Sequence, residues 1–128
     1  MEIARKSALF ALGGGAYVAL ELLWRGRSHA SMFAAGGLSF LLLGKIRETT
    51  LPDPIKPVAG AALITAVELS AGLLVNRDYR VWDYRALPGN YRGQICLPFS
   101  LLWSPVSLGA MVFYDLLDKT INRISAAD

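Results

Sequence analysis

Cysteine occurs once in these 128 residues, as Cys96, and histidine once, as His29. A single cysteine excludes an intramolecular disulfide. One histidine without clustered cysteines or acids gives no metal-ligand spacing, so neither a metal nor a cofactor is expected. Charge is scarce too: Asp, Glu, Lys and Arg make up 18% of the chain and hydrophobic residues 54%, where soluble domains hold about 25% and about 45–50%. No phosphate-cradling loop is present, because Gly13, Gly14 and Gly15 lie inside an apolar run. Nucleophile elbows and Cys/His pairs are lacking as well. The length suits one domain, residues 1–128.

What charge there is falls in short clusters between apolar stretches, whereas a soluble helix carries its charges along one face. Four stretches approach the roughly 17–25 residues that a transmembrane helix needs: 7–24, 29–44, 58–75 and 97–117. The pattern predicts an all-α integral membrane protein of about four transmembrane helices, with a polar loop before the last. The first stretch starts after Arg5 and Lys6, as a signal peptide does. It contains Glu21, however, and is followed by Arg25, Arg27 and further spans, so it is read as a retained helix. The second is the shortest, and either its flanks extend it or it lies in a locally thinned bilayer. A tight turn at 25–28 makes the first two helices an antiparallel hairpin, and Pro52, Pro54 and Pro57 separate the second from the third. Pro98 and Pro105 are expected to bend the fourth helix. The tail beyond Leu117, with Asp118, Lys119, Asn122 and Arg123, is expected to be an amphipathic end lying at the surface.

The net charge of +3 and pI of about 9.2 do not point to nucleic acid, because the basic residues bracket the apolar runs. With four spans both termini share one side, together with Arg5, Lys6, Lys45, Arg47, Lys56, Lys119 and Arg123. Arg25, Arg27, Arg77, Arg80, Arg85 and Arg92 occupy the other. Seven against six is nearly balanced under the positive-inside rule. Such balance fits either insertion in both orientations with antiparallel pairing, or loop arginines buried against polar partners. Small residues at helical spacing, Ala11, Gly15 and Ala19 in the first helix and Ala62 and Ala66 in the third, are candidates for helix contacts.

Two carboxylates sit inside apolar runs, Glu21 and Glu68. A charge at the bilayer centre costs about 2.5–3.5 kcal/mol, so such groups turn inward and find partners. Both fall in the half of the membrane nearest the segment 76–96, which predicts one polar pocket floored by Glu68 and walled by Glu21. That segment, NRDYRVWDYRALPGNYRGQIC, supplies Asn76, Arg77, Arg80, Trp82, Asp83, Tyr84, Asn90, Arg92 and Gln94 as candidate ligand-binding groups. Pro88, Gly89 and Asn90 mark a turn that folds it back, either dipping into the bilayer or lying across it. Its aromatic rings suit the membrane interface, and its arginines can hold a lipid phosphate or an anionic solute. Ser100 and Trp103 are placed to face the same pocket. In the plainer alternative each glutamate pairs with a loop arginine or a helix hydroxyl and only fixes packing.

ELLWRGRSHASMFAAGGLSFLLLGKI and VELSAGLLVNRDYRVWDYRALPGNYRGQICLPFSLLW resemble the bacterial family described as putative ABC-transporter type IV. It is also labelled a CmpB-like putative permease, and the animal transmembrane protein 229 group is similar. The shared features are Glu68, Asn76 with Arg77, Trp82-Asp83-Tyr84, Pro88 and Asn90, Gly93 to Leu97, and Ser100, Leu101 and Trp103. Many relatives carry serine where this chain has Arg85. The resemblance implies a multi-span protein of the bacterial cytoplasmic membrane, and an ABC role would require a separate ATPase chain.

Intramembrane carboxylates facing a basic loop favour a transporter or channel component, and four helices are few enough to call for a homo-oligomer, such as a dimer, in contact with membrane lipids. A membrane enzyme is the alternative, acting on a lipid or lipid-linked substrate with Glu68 or Asp83 as general acid or base. A non-catalytic assembly or regulatory subunit is the other.

Overall fold

A computed structural model describes residues 2–26 and 28–127, without the side chains of Arg25, Ser125 and Ala127. Arg27 and the Arg25 side chain, counted above among the basic groups of the first turn, lie outside the described residues. Four helices follow one another: α1 (Glu2–Arg25), α2 (Ala30–Arg47), α3 (Lys56–Val75) and α4 (Leu97–Ala127). Among the described residues the only strand-like pairing is an isolated bridge between Tyr91 and Ile95.

The helix ends follow local chemistry. α1 starts several residues before the apolar run because Glu2 and Arg5 pair at 2.7 Å across its first turn. His29 caps α2, its Nδ1 accepting from the Ser31 amide at 3.1 Å. α2 ends with Lys45 and Arg47 in its last turn, where cations complement the helix dipole. Pro57 stands in the first turn of α3, where a missing N–H costs nothing. Lys56 closes the α2–α3 loop by donating to the Arg47 carbonyl at 3.0 Å.

The tail beyond Leu117, largely exposed, continues α4 as helix. α4 runs unbroken for 31 residues, past Pro105 and through to Ala127. No glycine or proline follows Leu117 to stop it. Its acids also find partners on neighbouring helices: Asp115 pairs with Arg47 at 2.9 Å, and Asp118 with Arg5. Such a helix is about 46 Å long, against about 30 Å of hydrocarbon, so it is longer than the hydrocarbon core needs.

Helix packing rests on glycines, but not on the stripes expected from spacing. A side chain at Gly13 would collide with the Phe40 ring, one at Gly37 with Phe10, and one at Gly36 with Tyr17. Gly44 likewise receives the Tyr114 ring and Gly60 receives Ser107. Ala11, Gly15, Ala19, Ala62 and Ala66 are all exposed instead. Two residues along a helix turn it by about 200°, so Gly13 and Gly60 lie on the faces opposite Ala11 and Ala62. A cluster of Leu9, Phe40 and Tyr114 fills one end of the bundle, and Met32, Trp82, Tyr84 and Cys96 fill the other.

Among the described residues three helices have spans long and apolar enough to cross a membrane: Glu2–Trp24, Lys56–Val75 and Leu97–Ile124. The chain is an integral membrane protein. α2, the shortest at 18 residues, packs against all three.

Candidate functional site

Residues 76–96 form a cap over one end of the bundle, held by a buried polar knot. Asn76 has no exposed surface. Its side-chain amide donates to the Trp82 carbonyl at 2.7 Å and to Gln94 Oε1 at 2.8 Å. Its Oδ1 accepts from the amides of Val81 and Trp82 at 2.9 and 3.2 Å. Gln94 returns a bond from Nε2 to the Asn76 carbonyl at 3.0 Å, and its own carbonyl accepts from Trp82 Nε1 at 2.9 Å. Two turns shape the rest. Gly89 follows Pro88 with φ +64°, and Arg92 and Gly93 both have positive φ, 52° and 68°. The latter pair makes the tight turn that brings the Tyr91 amide to the Ile95 carbonyl at 2.9 Å.

From this cap Tyr84 reaches down to Glu68, about two turns inside the end of α3. Its hydroxyl donates to one Glu68 oxygen at 2.7 Å, and Trp103 Nε1 donates to the other at 3.1 Å. Rings brace both donors. Tyr84 stacks on Phe99 with centroids 5.0 Å apart, and Tyr17 lies 6.4 Å from Trp103. Each of these two donors is buried with the carboxylate it holds.

Glu68 lines a cavity of about 320 Å³ walled by all four helices, with Trp82 of the cap. Among the described residues Tyr17, Ser39, Trp82 and Trp103 are the others there with a polar group, and the remainder of the described wall is apolar, including Met32, Phe40, Val106 and Phe113. Glu21 does not share this space. It accepts from Tyr17 at 2.9 Å and lines a second cavity of about 370 Å³, together with His29, Asp78 and Arg80. The expected single polar pocket is therefore two adjoining ones. Met32 lines both, and Tyr17 lines one while bonding to the carboxylate of the other.

The remaining candidates divide by burial. Trp82, Tyr84, Gln94 and Trp103 are buried around Asn76 and Glu68, and Ser100 accepts from Thr65 at 3.1 Å between α3 and α4. The exposed groups face outward. Arg77 donates to the Leu73 carbonyl, Arg80 pairs with Asp78 at 3.1 Å, and Asn90 spans its own turn. Arg92 lies over the Tyr91 ring at 5.5 Å. Asp83 pairs with Arg85 at 2.7 Å. The Arg85 guanidinium, bonded to its side chain, holds the Asp83 carboxyl below the usual aspartate range.

Sequence reasoning missed the cavity wall of Tyr17, Met32, Ser39, Phe40 and Phe113. On α1 the wall follows Gly13, Ala16, Tyr17 and Leu20, a helical spacing. In a membrane helix the outer face is apolar too, so this spacing stands out against nothing.

No curated protein and no solved structure matches the chain. A family profile matches residues 18–127, a region holding both glutamates, the whole cap, all of α2 and α3, α4 through to its end and the last third of α1. The chain belongs to the family described as "Putative ABC-transporter type IV".

Proposed function

We propose that this protein is a membrane component of a transport system, and that its solute passes through the Glu68 cavity. The observation that carries the reading is a cavity of about 320 Å³ among the four helices, with one carboxylate fixed by two neutral donors in an otherwise largely apolar wall. Intramembrane ionisable groups of this kind mark solute and ion pathways. Family membership supports the same class of function. In this reading α2 crosses the bilayer beside the other three helices, and the membrane is the bacterial cytoplasmic one. Four helices per chain are few for a solute path, so the working unit is a homo-oligomer. ATP hydrolysis, where the system uses it, comes from a separate chain.

Transport is favoured over lipid chemistry by the placement of the two candidate acids. Asp83 lies on the outer face in an ion pair with Arg85, and Glu68 lies among apolar groups. A solute path must be reachable from water in at least one state of the protein. Single cysteines at Ala35 and Val106, both on the cavity wall, are introduced into a Cys96→Ser background and treated with a membrane-impermeant thiol reagent in sealed vesicles. Labelling of both from at least one side is expected, with an exposed control on α4, Leu101→Cys, unlabelled. Wall positions that stay unlabelled from both sides contradict the transport reading.

A further inference from the structure

The four walls of the Glu68 cavity are not equally closed. Among the described residues α1 packs chiefly on α2, meets α4 least and does not reach α3. α1 and α4 run antiparallel and touch at both ends of the cavity. Away from the cap, Leu9 and Tyr114 share a buried cluster beside the Arg5–Asp118 pair. Toward the cap, the Tyr17 and Trp103 rings lie 6.4 Å apart. This register sets Gly13 and Gly109 at about the same level between those contacts. A Cβ at Gly109 would meet nothing within 4 Å, so no described side chain of α1 fills the space beside it. Exposure marks the same gap. Leu20, Val106, Gly109 and Phe113 line the cavity and are exposed as well, whereas every lining residue of α2 and α3 is buried or half-buried. The cavity therefore opens sideways, through a mouth between α1 and α4.

All four mouth residues are apolar, and the three on α4 lie inside its membrane-crossing stretch Leu97–Ile124. Hydrocarbon, not water, lies outside such a mouth. A polar solute using it would leave its hydrogen-bonding groups unpaired on the way in, at a cost for each. A second copy's helix, about 10–12 Å across, can cover the mouth but cannot enter it. An alkyl chain loses no solvation on entering, because lipid tails are as apolar as the wall. It also supplies the dispersion contacts that an empty cavity forfeits. Resting on the transport reading above, we propose that the substrate comes from the bilayer, a lipid or similar amphiphile whose alkyl chain enters the cavity between α1 and α4. The wall it meets is suited to a chain, with Ala16, Met32, Phe40, Leu43 and Ile64 among its residues.

Photo-crosslinking of the full-length protein in vesicles is the test. The vesicles are phosphatidylcholine with a diazirine at the end of one acyl chain, and adducts are mapped by mass spectrometry after illumination. Met32, Phe40 and Leu43 on α2 line the cavity and are no more than 5% exposed, so a chain reaches them only from inside. Adducts are expected on these three as well as on Leu101, which faces outward. Gly109→Leu grows into open space at the mouth and is expected to lose the α2 adducts while keeping those on Leu101. Gly109→Ala is expected to keep both. Adducts confined to outward residues overturn the proposal, and the unaltered protein decides this even if Gly109→Leu proves unstable. So do α2 adducts that Gly109→Leu leaves undiminished. A Leu20→Cys disulfide between copies on a Cys96→Ser background, with no α2 adducts, would place a second copy over the mouth and also overturn it. Wall labelling from water separates this outcome from that of the transport reading. Adducts on α2 with unlabelled cavity cysteines keep the chain and remove the path, whereas labelled walls without α2 adducts keep a path and give it to a water-borne solute.

Discussion

Tyr84 and Tyr114 are buried alike, 4% and 1% exposed, yet their hydroxyls have opposite standing. Tyr84 donates to the Glu68 carboxylate at 2.7 Å, and hydrogen bonds to charged groups are worth about 1.5–3 kcal/mol. The Tyr114 hydroxyl has no hydrogen-bond partner among the described residues, although its ring fills the notch at Gly44 and packs on Phe40 at 5.3 Å. Replacing Tyr84 by Phe should therefore lower stability by about 1.5–3 kcal/mol. Tyr114→Phe should change it by no more than about 0.5 kcal/mol, because only an unpartnered hydroxyl is lost. Unfolding midpoints of the two variants in one micelle check this. A Tyr114→Phe variant as unstable as Tyr84→Phe would mean that the Tyr84–Glu68 bond does not hold the cap.

At the scale of the helix pair, the same kind of substitution should act in opposite ways two residues apart on α1. A Cβ on Gly13 meets the Phe40 ring, whereas one on Gly15 meets nothing within 4 Å. Gly13→Val is expected to separate α1 from α2 and cost about 2 kcal/mol or more through overpacking. Gly15→Val, facing lipid, should leave folding nearly unchanged. Thermal stability of the two purified variants discriminates. The pair also illustrates what could be read from sequence. Charges, prolines and the length of apolar runs placed four helices and the 76–96 cap, because in lipid those features have no substitute. Glu68, Trp82 and Trp103 stood out as polar or interfacial groups at intramembrane or near-membrane positions, and the structure gathers them at one cavity. The inward phase of each helix was not legible. In water a polar outer face reveals the inner one, but α1 and α3 are apolar all round, so Ala11 and Gly13 look equally suited to a contact. Nor could the sequence separate the cap groups that hold the cap from those facing out. Asn76 and Arg77 are neighbours, yet one is the centre of the buried knot and the other is exposed. That division depends on where the chain turns at Gly89 and at Arg92-Gly93.

Over the whole molecule, two inter-helix ion pairs tie the end opposite the cap, Arg5 with Asp118 and Arg47 with Asp115. The cap closes the other end through Tyr84 and the Asn76–Gln94 knot, and the Glu68 cavity lies among the helices between them. In the proposed function this cavity lies inside the membrane, walled by four crossing helices. α2 is the shortest wall: its 18 residues give about 27 Å for about 30 Å of hydrocarbon. The direct measurement is single-cysteine labelling in intact cells on a Cys96→Ser background, at Ile3, Thr50, Ala86 and Ala126, all exposed. If four helices cross, position 86 labels from one side, and positions 3, 50 and 126 label together from the other. Positions 3 and 126 found on opposite sides would mean that an odd number of helices crosses, so that α2 lies outside the bilayer and the cavity is not intramembrane.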